Sequence, residues 1–172
     1  MDDEQFLGHV YYGQKLNDYH LDHLLRIEEG PFVPSRNNRD RGSFLDSFPM
    51  EYPAHGLGDY REDCISIRTG EGNTGLSLNY VSHKIISGKP ALEGLPASFG
   101  TEQECETLEI TCRDSHTGLE AVLMYTVFED VDVITRSVKV VNASEKTLFL
   151  TRVMSACLDM DTVSYTHLRA HE

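Results

Sequence analysis

The sequence is short of positive charge, of long apolar runs and of paired cysteines, and each shortage removes a class of function. Lys and Arg number 15 against 28 Asp and Glu in 172 residues, a formal net charge of −13 at neutral pH. Such a surface repels phosphate backbones and anionic lipids, so neither nucleic acid nor a membrane surface is expected as a partner. A neutral ligand is indifferent to it. No apolar run approaches the roughly 20 residues that a bilayer-spanning helix needs. The first residues, MDDEQFLGHV, are acidic and lack the basic-then-apolar layout of a secretory leader. Cys64, Cys105, Cys112 and Cys157 form no CxxC pair and share no metal-ligand spacing with histidine. Each lies in or beside an apolar, strand-like run, so buried reduced thiols are expected, as in a cytoplasmic protein; two disulfides are the alternative. Internal repeats and low-complexity segments are also missing.

What is present fits one soluble domain with a core of its own: 40% hydrophobic and 25% charged residues. From Leu76 onward the periodicity is that of strands. Leu108, Ile110 and Cys112 alternate with Thr107, Glu109 and Thr111. Leu119, Ala121, Leu123, Tyr125 and Val127 share one face of the next run, while Val122, Met124 and Phe128 make its other face apolar, which predicts a strand covered on both sides. Asp114–Gly118 supplies the turn between these runs and marks a hairpin. Val133–Val141 and Thr147–Leu158 read as a second pair, joined by Asn142-Ala-Ser-Glu145, whose glycosylation sequon is read as a turn. Successive antiparallel strands with short polar turns predict an all-β sandwich or a large curved double sheet. Helix is expected at most in one or two short pieces, with Asn17–Ile27 the best candidate.

Between Gly30 and Gly58 lies a loop with Pro31, Pro34, Pro49 and Pro53, and loops this long inside a domain are usually functional or disordered. The overlapping segment Ser43 to Arg61 is stiffened by Pro49 and Pro53 and turned by Gly56 and Gly58. It carries Asp46, Glu51, Asp59, Tyr60 and Arg61. Carboxylates accept from sugar hydroxyls, Arg donates to them, and an aromatic face stacks on a hexose. A structural loop with internal salt bridges has the same composition, and the two readings stay open on composition alone. His9 and His83, in strand-like runs, are read as structural histidines rather than ligands. The adjacent acids Glu28-Glu29, Glu62-Asp63 and Asp159/Asp161 are read as solvated turn residues.

Five pieces of the chain, in order, resemble α-galactosidases of glycoside hydrolase family 36. Leu7-Gly-His-Val-Tyr-Tyr-Gly-Gln-Lys-Leu16 is similar to the family's LxHLYYGKxL piece, and Pro49-x-Glu51-Tyr52-Pro53-x-x-Gly56-x-x-Asp59-x-Arg61 to its PxEYPxxGxxDxR signature. Leu92–Ala97, Glu106–Ile110 and Val133–Ser137 match its LxGLPA, ETLEI and VIxRS pieces. The resemblance implies part of an N-terminal antiparallel β-supersandwich that packs against a (β/α)₈ barrel. It further implies hydrolysis of terminal α-linked galactose, on raffinose- or melibiose-type sugars, with retained configuration and no cofactor. Retention needs two carboxyl groups about 5–5.5 Å apart. The resemblance places both on the barrel, which alone takes about 250 residues and is not in this sequence. No catalytic residue is therefore assigned, and the chain by itself is expected to be inactive. From the family's tetrameric bacterial members the resemblance carries over a substrate-contacting role, toward a neighbouring subunit's pocket in a homo-oligomer, to Asp46, Tyr60 and Arg61. The alternative is a free-standing β-sandwich that binds carbohydrate or mediates assembly.

The resemblance implies a further strand before the LxHLYYG piece, so the start is expected to be incomplete. Residues 163–172 are set aside on different grounds. Val163-Ser-Tyr-Thr-His-Leu-Arg-Ala-His-Glu172 back-translates to a sequencing-library adapter read through as codons, so 1–162 is taken as the partial domain and 163–172 as a non-native tail.

Overall fold

A computed structural model describes residues 5–13, 15–17, 20–21, 48–56, 62–94 and 97–158. Six strands make up its regular structure: β1 (Ile65–Thr69), β2 (Asn79–Ser87), β3 (Glu106–Arg113), β4 (Leu119–Phe128), β5 (Val133–Asn142) and β6 (Leu148–Val153). Among the described residues the helical content is one 3₁₀ turn, Glu129–Val131. The chain is all-β, as its alternating apolar pattern requires. The helix expected over Asn17–Ile27 lies outside the described residues except at positions 17, 20 and 21.

The strands form two antiparallel sheets, a four-stranded meander ordered β2-β3-β4-β5 and a two-stranded sheet of β1 and β6. Cross-strand register sets which side chains share a face. Cys112 lies opposite Ala121 and Ala121 opposite Val140; Ile110 lies opposite Leu123 and Leu123 opposite Val138. These rows pack against Ile65, Ile67 and Leu148 of the smaller sheet, with Leu76 and Leu78 beside them, in one core. A fully buried Leu or Ile contributes about 1.5–3 kcal/mol, so this seam carries much of the fold's stability.

The expected β3–β4 hairpin is present, and its turn has a clear cause. The buried Asp114 carboxylate accepts the His116 and Thr117 amides at 2.7 and 3.3 Å and, from outside the turn, the Ser77 amide at 3.0 Å. Gly118 closes the turn at φ +71, where a Cβ would also press on Ser144. The second expected pair does not form. β5 completes the large sheet on β4, whereas β6 crosses to β1. The redirection happens at the sequon: Asn142 Oδ1 accepts from the Ser144 amide and hydroxyl, and its Nδ2 donates to Lys146 O at 2.7 Å. The turn that the sequence announces is there, but it leads into the other sheet. Burying Ile65 and Ile67 gives β1 a core face, and β6 supplies its ladder partner.

β4 is covered unevenly on its second face. At one end Thr107, fully buried, donates to Gly88 O at 2.7 Å and meets Thr126 Oγ1 at 2.8 Å, beneath the connection that follows β2. Farther along, Glu109, Thr111, Ser137 and Lys139 flank Met124 and Val122, so that stretch is polar. The four cysteines are unbridged; burial pushes the Cys64 thiol up to about 12 and Cys112 to about 11.

Candidate functional site

One row beyond the apolar seam, the inner face of the large sheet becomes charged. Leu108, Tyr125 and Arg136 sit side by side across β3, β4 and β5. Residues 7–9 and 49–51 lie over them, themselves paired: His9 N donates to Pro49 O at 2.6 Å and Glu51 N to Leu7 O at 2.9 Å. The prolines at 49 and 53 hold this arm extended, which presents Glu51 to the sheet and buries Phe48, Met50 and Tyr52 around it. Tyr52 spans to the far side, donating to Met154 O at 2.9 Å.

Glu51 is the centre of the arrangement. Its Oε1 accepts from the Tyr125 hydroxyl at 2.7 Å and lies 3.0 Å from Arg136 Nη1. Its Oε2 accepts from His9 Nδ1 at 2.6 Å. Arg136 Nη2 donates to the Tyr125 hydroxyl at 3.0 Å, and the guanidinium lies 4.6 Å from the centre of that ring. The Arg136 Nη1 contact is an ion pair without hydrogen-bond alignment. The Glu51 and Arg136 side chains are 13% and 12% exposed, so the pair interacts in a low-dielectric setting. Burial, reinforced by the neighbouring Glu51 carboxylate, holds the Tyr125 phenol well above its ordinary value. A cavity of about 500 Å³ opens beside the cluster, walled by Leu7, Val10, Tyr11, Leu108 and Ile134 among others.

Chemically the cluster is closed on itself except at Arg136 Nη1, which is buried without a hydrogen-bond partner. Both Glu51 oxygens are engaged within the cluster, so Glu51 serves as the internal salt bridge that the loop's composition also allowed, while it also lines the cavity together with His9, Tyr125 and Arg136. Asp46, Tyr60 and Arg61, the residues expected to touch substrate, lie outside the described residues, as does Asp59. The chain on either side of 57–61 is held. Gly56 turns at φ +99 against Gly75, His55 N donates to Ile65 O, and Arg152 pairs with both Glu62 and Asp63. Glu62 is exposed as expected, whereas Asp63 is largely covered. His9 is structural, as read from sequence; the exposed His83 bonds the Tyr80 hydroxyl at 2.6 Å.

Three motif pieces far apart in sequence, holding His9, Glu51 and Arg136, thus meet at one point. Residues 5–171 match the profile described as the glycosyl hydrolase family 36 N-terminal domain. The chain belongs to that family.

Relatives of this family 36 domain agree. It is 38% identical to α-galactosidase AgaA of Geobacillus stearothermophilus, over 93% of this chain and 22% of that protein. It is 37% identical to the bifunctional α-galactosidase/sucrose kinase AgaSK of Mediterraneibacter gnavus, over 95% and 18%. Among solved structures, AgaA in complex with raffinose superposes with a TM-score of 0.81 at 38% identity, covering 90% of this chain and 22% of that one. The α-galactosidase of Lactobacillus brevis gives 0.81 at 29% identity, over 92% and 22%. The domain spans about a fifth of the length of the curated relatives it matches.

Arg136 and Tyr125 are not among the site residues expected from the sequence. The signal was in the alternation: Val138 and Val140 face the core, so Arg136 two residues earlier faces it too. An arginine in the inward phase of a strand demands a buried counter-charge, and Glu51 is that charge.

Proposed function

We propose that this domain is part of a retaining α-galactosidase that removes terminal, non-reducing α-D-galactose from raffinose- or melibiose-type oligosaccharides. The observation that carries the reading is its 38% identity to AgaA over 93% of the chain, joined to a superposition on AgaA holding raffinose. In this reading the catalytic carboxylates belong to a barrel encoded outside the 172 residues, and no cofactor is involved. The domain's work is to brace that barrel, to contribute to the subunit contacts of a homo-oligomer, and to bring Asp46, Tyr60 and Arg61 to bound sugar. Such contacts bind substrate without performing chemistry, so their loss falls on KM rather than kcat. Cytoplasmic residence fits the reduced cysteines.

The test uses two proteins. The complete product of the parent gene should hydrolyse a chromogenic α-galactoside with retention, and the 172-residue chain should not. In the complete enzyme Arg61→Ala should raise KM for an α-galactoside before it harms folding. Unchanged kinetics with a lowered melting temperature would make the loop purely structural. No hydrolysis by the complete product would leave a stand-alone carbohydrate-binding or assembly sandwich. We also propose that Val163–Glu172 is non-native, on the adapter match; the family match itself extends to residue 171. The sequence of the parent locus after Asp161 decides that point.

A further inference from the structure

We propose that Cys64 and Cys157 form a redox-responsive modification site, a pair of thiols that hydrogen peroxide converts into one disulfide clamping an end of the small sheet. The site stands apart from the glycosidase reading, since it needs only this domain.

The β1–β6 ladder brings the two residues together. Ile65 lies opposite Val153, and one position beyond that pair the Met154 amide donates to Cys64 O at 2.7 Å. The chain then bends at Ser155, and Cys157 packs against the buried cluster that contains Cys64. The two thiols share a hydrogen bond there. The corner is held from both sides: the Cys64 amide donates to Pro53 O at 2.9 Å, and the Tyr52 hydroxyl to Met154 O at 2.9 Å. Sulfurs already in hydrogen-bond contact need side-chain rotation, not strand movement, to reach an S–S bond. The other two cysteines are placed differently. Cys105 donates its thiol to Thr101 O at 3.7 Å, and Cys112 lies between Tyr80 and Ala121 in the large sheet.

The pair is unequal, which orders the chemistry. Cys64 is fully enclosed, and burial, with the neighbouring Cys157 next in effect, pushes its thiol up to about 12. Cys157 is partly exposed, so the oxidant meets it first. The Cys157 sulfur attacks one peroxide oxygen; an S–O bond forms, the O–O bond breaks, and the departing hydroxide becomes water with the thiol's proton. Cys157 is then a sulfenic acid. The Cys64 sulfur attacks it next. The S–S bond forms, the S–O bond breaks, and the hydroxide leaves as a second water with the Cys64 proton. Two thiols have given up two electrons, and one hydrogen peroxide has become two waters. The high value of Cys64 is no barrier to this step, because its proton passes to the adjacent leaving oxygen rather than to solvent. The disulfide closes a loop that holds all six strands, so it constrains the unfolded chain and keeps the small sheet shut on the core.

The experiment treats the complete protein with hydrogen peroxide, alkylates the remaining thiols after denaturation, and digests it without reduction for mass spectrometry. The expected product is a pair of peptides joined at Cys64 and Cys157 and released by dithiothreitol, with Cys105 and Cys112 recovered as alkylated thiols. In the oxidised protein, hydrogen exchange at the Met154 amide should slow at least about ten-fold. Cys64→Ser should abolish the cross-link and leave Cys157 as a sulfenic acid that dimedone traps. Should that variant fail to fold, Cys157→Ser replaces the more exposed partner, and Cys64 should then stay a thiol under the same oxidant. Oxidation of Cys157 without a cross-link in the parent, no oxidation at either residue, or an unchanged Met154 exchange rate would each overturn the proposal. So would oxidation of Cys64 in Cys157→Ser.

Discussion

The inner face of the four-stranded sheet is closed by apolar residues at one end and by charge in the next row. Around Leu119, Ala121 and Leu123 it meets Ile65 and Ile67 in an apolar seam. Around Tyr125 and Arg136 it meets His9 and Glu51 in a polar network with bonds of 2.6–3.0 Å. One row farther, Val127 and Ile134 are 44% exposed. The seam is non-directional and supplies stability in proportion to area. The network supplies little net stability but one arrangement of arm and sheet. The two should therefore fail differently.

Breaking the seam should have the largest effect on folding. Leu123→Ala should cost about 3 kcal/mol, seen in urea unfolding followed by circular dichroism, through lost transfer energy and the cavity left behind. Within the network, Glu51→Gln removes the charge facing Arg136 but keeps an amide able to accept from Tyr125. It should cost about 2 kcal/mol in the same assay, and equal losses at the two sites would contradict a difference between seam and network.

Raising pH attacks both regions at once. Cys64 and Cys112 ordinarily titrate at 9.0 and in the fold only at about 12 and about 11. The unfolded chain thus releases protons above pH 9 that the folded chain retains. Stability should be flat below pH 9 and decline as pH rises through 11 and 12. Tyr52 and Tyr125, raised chiefly by burial, add to the decline from about pH 10. Melting temperatures from pH 8 to 11 check this, and Cys64→Ala with Cys112→Ala should flatten it. At the bottom of the scale, the exposed Arg113–Glu120 pair at 3.7 Å should matter by less than about 0.5 kcal/mol when Arg113 becomes Ala.

Much of the fold was legible because alternation fixes strand faces directly. β3, β4 and their hairpin follow from the apolar phase of Leu108 to Tyr125 and the turn chemistry of Asp114 and Gly118. What periodicity does not encode is the choice of partner. β5 and β6 look like a hairpin locally, and their separation into two sheets is set by where β1 lies, a contact some eighty residues distant in sequence. The same limit hid the network. Composition leaves Glu51 open between a group offered to a ligand and an internal salt bridge because its partners, His9, Tyr125 and Arg136, are each remote from it in sequence. Recognising motif pieces named the family; the fold adds that three of them meet at a single carboxylate.

The most direct test of the contrast between seam and network is amide hydrogen exchange on the complete protein carrying Arg136→Met. The account predicts faster exchange at the His9 and Glu51 amides, which pair the two arm segments, with the β3–β4 amides around Cys112 and Leu123 unchanged. Equal acceleration in both places, or none in the arm, would contradict it.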